Sequence, residues 1–197
     1  MNDTGCIRKV NKRLAVTGLI LAGGQGRRMG GQDKGLVDYK GKPLVDWVIE
    51  RLQPQVDELL ISANRNLDEY SRRGYRVLPD TLPDFQGPLA GLMAGLQAAS
   101  LEWVLSVPCD IPGLPADLAS RLFGSAGGKE AVFARDAERD HPAVLLLNKS
   151  CLPKLLSYME KGGRSVKGFI GGLDATGVVF PEPAAFANMN EADQLEK

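Results

Sequence analysis

The stretch Leu21-Ala-Gly-Gly-Gln-Gly-Arg-Arg-Met-Gly-Gly-Gln-Asp-Lys34 constrains this chain more than any other. It follows an apolar run, Leu14-Ala-Val-Thr-Gly-Leu-Ile-Leu21. That run reads as a buried first strand, because a parallel strand covered on both faces shows continuous rather than alternating hydrophobicity. The five glycines between Leu21 and Lys34 let the backbone take positive φ and approach a ligand closely. Arg28 and Lys34, with Arg27 beside them, bring three cations into or just after the loop. Backbone N–H groups, a guanidinium and an ammonium are together what a polyphosphate needs. The loop therefore predicts a nucleotide site at the end of the first strand.

Two familiar glycine loops are excluded by spacing. The dinucleotide fingerprint requires G-x-G-x-x-G, yet Gly24-Gln-Gly26 is followed by Gly30, one residue too late. The phosphate loop of P-loop proteins requires Gly-Lys followed by Ser or Thr. Here Gly41-Lys42 precedes Pro43, and Lys34 precedes Gly35.

Length and composition narrow the class. The 197 residues suit one domain with a sizeable core, since domains commonly run to roughly 100–200 residues. Residues 1–13 read as a polar N-terminal extension and 14–197 as the domain. Basic and acidic residues balance at 24 each, so nothing overall argues for nucleic acid or a membrane surface. No apolar run approaches a membrane span, and no signal-peptide core precedes the first strand. Cys6, Cys109 and Cys151 are too few and too scattered for a zinc pattern or a disulfide framework, which points to the cytoplasm.

Strand and helix patterns alternate, predicting an α/β domain whose mostly parallel sheet carries helices on both faces. After the loop, Gly35–Gly41 reads as a short extended piece. A helix begins at Pro43, with Leu44, Trp47, Val48 and Leu52 on one face. Strands follow at Glu58–Ala63, Tyr75–Leu78 and Glu102–Val107, separated by a polar helix around Asn66–Arg73 and another from Pro88 to Ala99. Further helices are expected from Pro115 to Gly124 and from Ser150 to Lys161. Glu130–Arg135 and Ala143–Asn148 read as paired strands, Gly177–Phe180 as a last strand, and the residues after Asn190 as a C-terminal helix.

In open α/β sheets, ligands bind beyond the carboxyl ends of the strands. After the fourth strand comes Pro108-Cys109-Asp110. A single carboxylate there suits Mg²⁺, which binds through few carboxylates plus substrate phosphates. The alternative is that Asp110 caps the helix that follows or turns the chain before Pro112. Asp80, after the third strand, reads on its own as a turn acid. Gly87-Pro-Leu-Ala-Gly91 opens a helix whose N–H groups could face a ligand, or whose small residues simply pack closely. The pattern leaves both open. His141, in Asp140-His-Pro142, is the sole histidine and has no partner for a metal cluster or a nucleophilic triad. Asn188 and Asn190 form N-x-N, and Asn190 would also cap the last helix well.

The loop resembles the signature of the small nucleotidyltransferases: a strand, L-A-G-G, a small residue, R-M-G, then a lysine. The doubled arginine in Arg27-Arg28-Met29-Gly30-Gly31 and the ending Asp33-Lys34-Gly35 are similar to the molybdenum cofactor guanylyltransferases, which join GMP to molybdopterin. That resemblance implies a single-domain Rossmann-like nucleotidyltransferase fold that binds GTP and molybdopterin and uses Mg²⁺. The protein would be a monomer, in transient contact with molybdenum cofactor biosynthesis proteins or molybdoenzyme chaperones.

Residue by residue, the resemblance makes Arg28, Lys34 and Asp110 catalytic and Asp110 the magnesium ligand. The nucleotide site would comprise Leu21, Ala22, Gly23, Gly24, Lys34, Ser62, Asp80, Gly87, Gly91 and Asp110. His141, Asn188 and Asn190 would face the second substrate. Two departures stand out. Related guanylyltransferases often carry N-A-N-R where this chain has Ser62-Ala-Asn-Arg65, which leaves open whether Ser62, Asn64 or neither reads the base. The family also continues N-x-N with Thr-Pro, where this chain has Glu191-Ala192. Cytidylyl- and sugar-phosphate nucleotidyltransferases share fold and chemistry, but R-R-M-G-G and D-K-G disfavour them. A non-catalytic binding module is disfavoured by the joint presence of Arg28, Lys34 and Asp110.

Overall fold

The computed structural model describes residues 15–23, 32–79 and 87–188. Nine strands and six helices are described in chain order. β1 (Val16–Leu21) leads to a small hairpin of β2 (Asp38–Tyr39) and β3 (Lys42–Pro43), then α1 (Leu44–Leu52). β4 (Glu58–Ser62), α2 (Leu67–Ser71), β5 (Arg76–Leu78), α3 (Pro88–Ala98) and β6 (Trp103–Pro108) follow. The second half comprises α4 (Leu118–Gly124), β7 (Ala131–Arg135), β8 (Asp140–Asn148), α5 (Leu152–Glu160), α6 (Val166–Ile170) and β9 (Ala175–Val179).

Seven strands form one sheet in the order β5-β4-β1-β6-β8-β7-β9. All pairings are parallel except those of β8, which runs antiparallel to both β6 and β7. The strands are short apolar runs, as a sheet covered on both sides demands. One apolar cluster joins Val16, Ile20 and Leu105 to Val48 and Leu52 of α1 and Leu118 and Leu122 of α4. A second joins Leu19, Leu60 and Val104 to α3, α5 and α6 through Leu92, Leu155 and Phe169. The expected α/β architecture with helices on both faces is what the chain forms.

Several local expectations change. The piece after Lys34 is a single 3₁₀ turn followed by a hairpin, in which Lys40 and Gly41 both take positive φ (53° and 87°). That pair of left-handed residues is what a two-residue hairpin turn needs. The helices expected from Pro115 and Ser150 begin later, at Leu118 and Leu152, because turns occupy the preceding residues. α6 was not anticipated: it is one turn long, too short for periodicity, though Ser165 caps it by accepting from the Gly168 N–H at 3.1 Å. β8 begins at Asp140 rather than Ala143 and so runs through Pro142. The expected C-terminal helix lies outside the described residues.

Close helix packing decides where α3 starts. A Cβ on Gly95 would run into the Leu19 side chain. One on Gly91 would lie 2.5 Å from Ser62 Oγ and 3.0 Å from Leu21 Cδ2. Both glycines face β1 and β4, so α3 lies tight against the sheet and delivers Gly87 and Pro88 to its carboxyl edge.

Candidate active site

Four parallel strands end together. Leu21 is in register with Ser62 and Pro108, and Ser62 with Leu78. Backbone bonds continue past the ends: Ala22 N–H donates to Ser62 O at 2.7 Å, and Cys109 N–H to Leu21 O at 3.1 Å. The tips are thus rigid, and a cleft of about 490 Å³ opens above them. That size is typical of a small-ligand site, about 300–1,000 Å³. Leu21, Ala22, Gly23, Lys34, Ser62, Gly87, Gly91, Asp110, His141 and Asn188 all line it. The other candidates, Gly24, Arg28, Asp80 and Asn190, lie outside the described residues.

Lys34 and Asp110 meet across this cleft. Lys34 Nζ donates to Asp110 Oδ2 at 2.5 Å, with side chains 27% and 16% exposed. The neighbours of Lys34 explain its placement. The Asp33 carboxylate accepts from the Tyr70 hydroxyl at 2.7 Å and from Asn66 Nδ2 at 3.0 Å. Tyr70 is fully buried, and burial, reinforced by its bond to Asp33, pushes its phenol far above the ordinary range. Gly35 packs against that hydroxyl, where a side chain would collide, and a Cβ there would lie 3.4 Å from Cys109 Sγ. Asn66 holds a left-handed backbone (φ 51°), a conformation asparagine tolerates. Arg65 Nη2 donates to Gln32 O at 3.3 Å, and Asn64 Nδ2 reaches Gly23 O at 3.5 Å. Residues 64–66 therefore tie down both described ends of the glycine loop.

Ser62 differs from Asn64. Its hydroxyl is buried (1% exposed), lines the cleft and has no hydrogen-bond partner among the described residues. An unsatisfied buried polar group costs about 1–3 kcal/mol, so a ligand atom completing it is favoured.

The far wall exists because β8 is antiparallel. Pairing Ser106 with Leu145 carries the earlier residues of β8 beyond the tip of β6. The β7–β8 register then shifts from Phe133–Leu145 to Ala134–His141, so Pro142, Ala143 and Val144 bulge out of the ladder to line the cleft. Pro142 suits a bulge, having no N–H to leave unpaired. His141 Nε2 lies 2.7 Å from Asp136 Oδ2, and its ring stacks on Phe186 at 4.7 Å. Burial raises the Asp136 pKa, but the His141 hydrogen bond and the N–H groups of Arg139 and Glu138 outweigh it and hold the carboxyl at about 2. Asp136, Arg139 and Phe186 were not anticipated. Asp136 opens the charged segment Asp136-Ala-Glu-Arg-Asp140 between two strands; aspartate's preference for turns, seen here in its bonds from the N–H groups of residues 138 and 139, is the signal that could have singled it out.

The donor set also bears on a metal. No group of three His, Cys, Asp or Glu that could hold an ion occurs among the described residues. The cleft carboxylate beside Lys34, Asp110, with room for phosphates next to it, fits Mg²⁺ rather than an all-protein cage.

Comparison with known proteins agrees with this geometry. Residues 18–174 match the family described as the MobA-like NTP transferase domain. The molybdenum cofactor guanylyltransferase of Serratia proteamaculans is 46% identical over 176 residues, covering 89% of each chain. A crystal structure of an Aquifex aeolicus protein superposes with a TM-score of 0.76 at 25% identity, covering 89% of this chain and 94% of that one. Molybdopterin-guanine dinucleotide biosynthesis protein A of Archaeoglobus fulgidus superposes at 0.74 with 23% identity, covering 91% and 95%. By sequence, fold and the convergence of its loops on one cleft, the chain belongs to the MobA-like NTP transferases, in the family of molybdenum cofactor guanylyltransferases.

Proposed function

We propose that this protein transfers GMP from GTP to the terminal phosphate of molybdopterin, releasing pyrophosphate. The observation that carries this reading is the pairing of Lys34 with Asp110 inside a cleft that also gathers Gly23, Ser62 and Gly87. One phosphate-binding cation and one metal-binding carboxylate brought together at the carboxyl edge of a parallel sheet are suited to nucleotidyl transfer.

The acceptor's phosphate oxygen attacks the α-phosphorus in line, and the bond to the β-phosphate breaks with its electrons leaving on pyrophosphate. No protein nucleophile is required, so catalysis rests on positioning and charge. Backbone groups of Leu21, Ala22, Gly23 and Gly24 cradle the phosphates. Lys34, held by the Asp33–Tyr70 contact, and Arg28 neutralise charge on the phosphates and the leaving group. Asp110 would hold Mg²⁺, which when bound supplies Lewis-acid neutralisation of the triphosphate. Ser62, Asp80, Gly87 and Gly91 border the nucleoside, and the buried Ser62 hydroxyl takes a hydrogen bond from it or gives one. His141, Asn188 and Asn190 face the acceptor. No helix among the described residues is long and apolar enough to cross a membrane, and the reading puts the reaction in the cytoplasm.

The test is incubation with Mg²⁺, each NTP and molybdopterin, with pyrophosphate assayed. GTP-selective release supports the assignment. Turnover with CTP but not GTP overturns the guanylyl part, and a GTP-induced thermal shift without turnover favours a binding module.

A further inference from the structure

A second cavity, of about 310 Å³, abuts the nucleotide cleft and shares Asp140 and Pro142 with it. Phe133, Ile170 and Leu173 supply apolar wall, and Lys167 of α6 adds a cation. The β8 bulge forms the partition, so one irregularity in the sheet creates two adjoining chambers. We propose that this second cavity seats the heterocycle of the acceptor, a pterin, with the Asp140 carboxylate accepting from the N–H edge of its planar aminopyrimidinone ring. The proposal rests on the guanylyl-transfer reading.

Three arguments converge. Transfer between two bound molecules requires reacting atoms about 3–3.5 Å apart, so the acceptor's chamber must adjoin the nucleotide's. Each cavity is of single-ligand size, and the second has the composition of a heterocycle site: mostly apolar, with few polar groups to fix orientation. Finally, Asp140 is available. Among the described residues its ion pair is with Arg135 at 3.5 Å and joins side chains 48% and 37% exposed, and such pairs are worth about 0–1 kcal/mol. A carboxylate can take two parallel N–H bonds from a pterin edge, a stronger arrangement than that surface pair. Lys167 makes the rim attractive to an anionic acceptor.

Gly171 gives a clean test, because it lines this cavity and not the first. Its backbone is ordinary (φ −60°), and a Cβ would meet only the Gly168 and Lys167 carbonyls at 3.5 and 3.6 Å. Gly171→Phe therefore blocks the chamber without backbone strain. It should raise KM for molybdopterin about tenfold or more while KM for GTP stays within about twofold, and Gly171→Ala should leave both near parental values. An unchanged molybdopterin KM in the Phe variant, or an equal rise in both constants, overturns the proposal. A second measurement needs no variant: fluorescence titration of the unmodified protein with hydroxymethylpterin. Binding competed by molybdopterin and not by GTP supports the chamber; binding competed by GTP, or no binding, overturns it. Failure of pyrophosphate release with every NTP counts against the guanylyl-transfer reading, whereas the titration reports on the chamber alone.

Discussion

Replacing Asp110 by Asn should make nucleotide bind more tightly in the absence of metal, even as it destroys turnover. In the free protein the Lys34 ammonium is engaged by Asp110 at 2.5 Å. A triphosphate arriving without a cation must take Lys34 from that carboxylate and then face the carboxylate's own charge. The gross attraction at this distance is about 2 kcal/mol in a water-like medium and about 7 at an effective dielectric of 20. Desolvation cancels much of that. Exposed pairs net about 0.2–1 kcal/mol, while breaking a fully buried pair costs about 3–5. Side chains 27% and 16% exposed lie between these limits, which puts the coupling at about 1–2 kcal/mol. Asp110→Asn releases Lys34 and removes the opposing charge, so GTP affinity in EDTA should improve by about 5–30-fold. In Mg²⁺ the same variant should show no turnover if Asp110 is the carboxylate that holds the metal, as proposed. Calorimetric titration of GTP with and without Mg²⁺, beside a pyrophosphate assay, reads both arms. Metal-free GTP binding no tighter than in the parent, or retained Mg²⁺-dependent turnover, would refute the reasoning.

Other predictions follow from neighbouring contacts. Tyr70→Phe keeps the buried ring but removes the bond to Asp33; urea denaturation should show a loss of about 1–3 kcal/mol, and kcat should fall because Lys34 is less well held. Parental activity in that variant would show that the Asp33 contact does not position Lys34. Gly91→Ala places a methyl 2.5 Å from Ser62 Oγ, so stability should drop by about 1–3 kcal/mol through overpacking and GTP affinity should fall as the cleft distorts. Asp136 has its pKa lowered from 3.8 to about 2, so the unfolded chain takes up the proton first on acidification. Its stabilising contribution is complete above pH 3.8 and is lost as pH falls from there through 2. Denaturation across that window should show a steeper loss in the parent than in Asp136→Asn; parallel curves would remove Asp136 as the cause.

The readable parts of this protein were those governed by local chemistry. The proline at the start of α3 and the apolar runs of β1, β4 and β6 each carry a short-range reason for their conformation. Sheet membership and helix order could therefore be read from them. Boundaries shifted where turns compete with helix starts, as at Leu118 and Leu152. α6 was invisible because one turn has no period.

Lys34 and Asp110 could also be singled out as a candidate phosphate cation and a candidate metal carboxylate, one from the glycine loop and the other from its place after a strand. Their contact could not, because they lie 76 residues apart and meet only when β1 and β6 pair. The same holds for Asp33 with Tyr70 and for Asp136 with His141: a charged residue in a polar stretch reads as solvated until its partner is known. The bulge at residues 142–144 depends on β8 running antiparallel between β6 and β7, and strand direction there is set by long-range pairing. Sequence alone thus determined a strand followed by the glycines and cations that the proposed phosphate site needs, since φ freedom and charge are properties of the residues themselves. Only the tertiary structure decided that ten candidate residues share one cleft, that Asp33 next to Lys34 is held by a buried tyrosine, and that a second chamber lies behind Pro142. Those are consequences of distance in space, which sheet order and packing create.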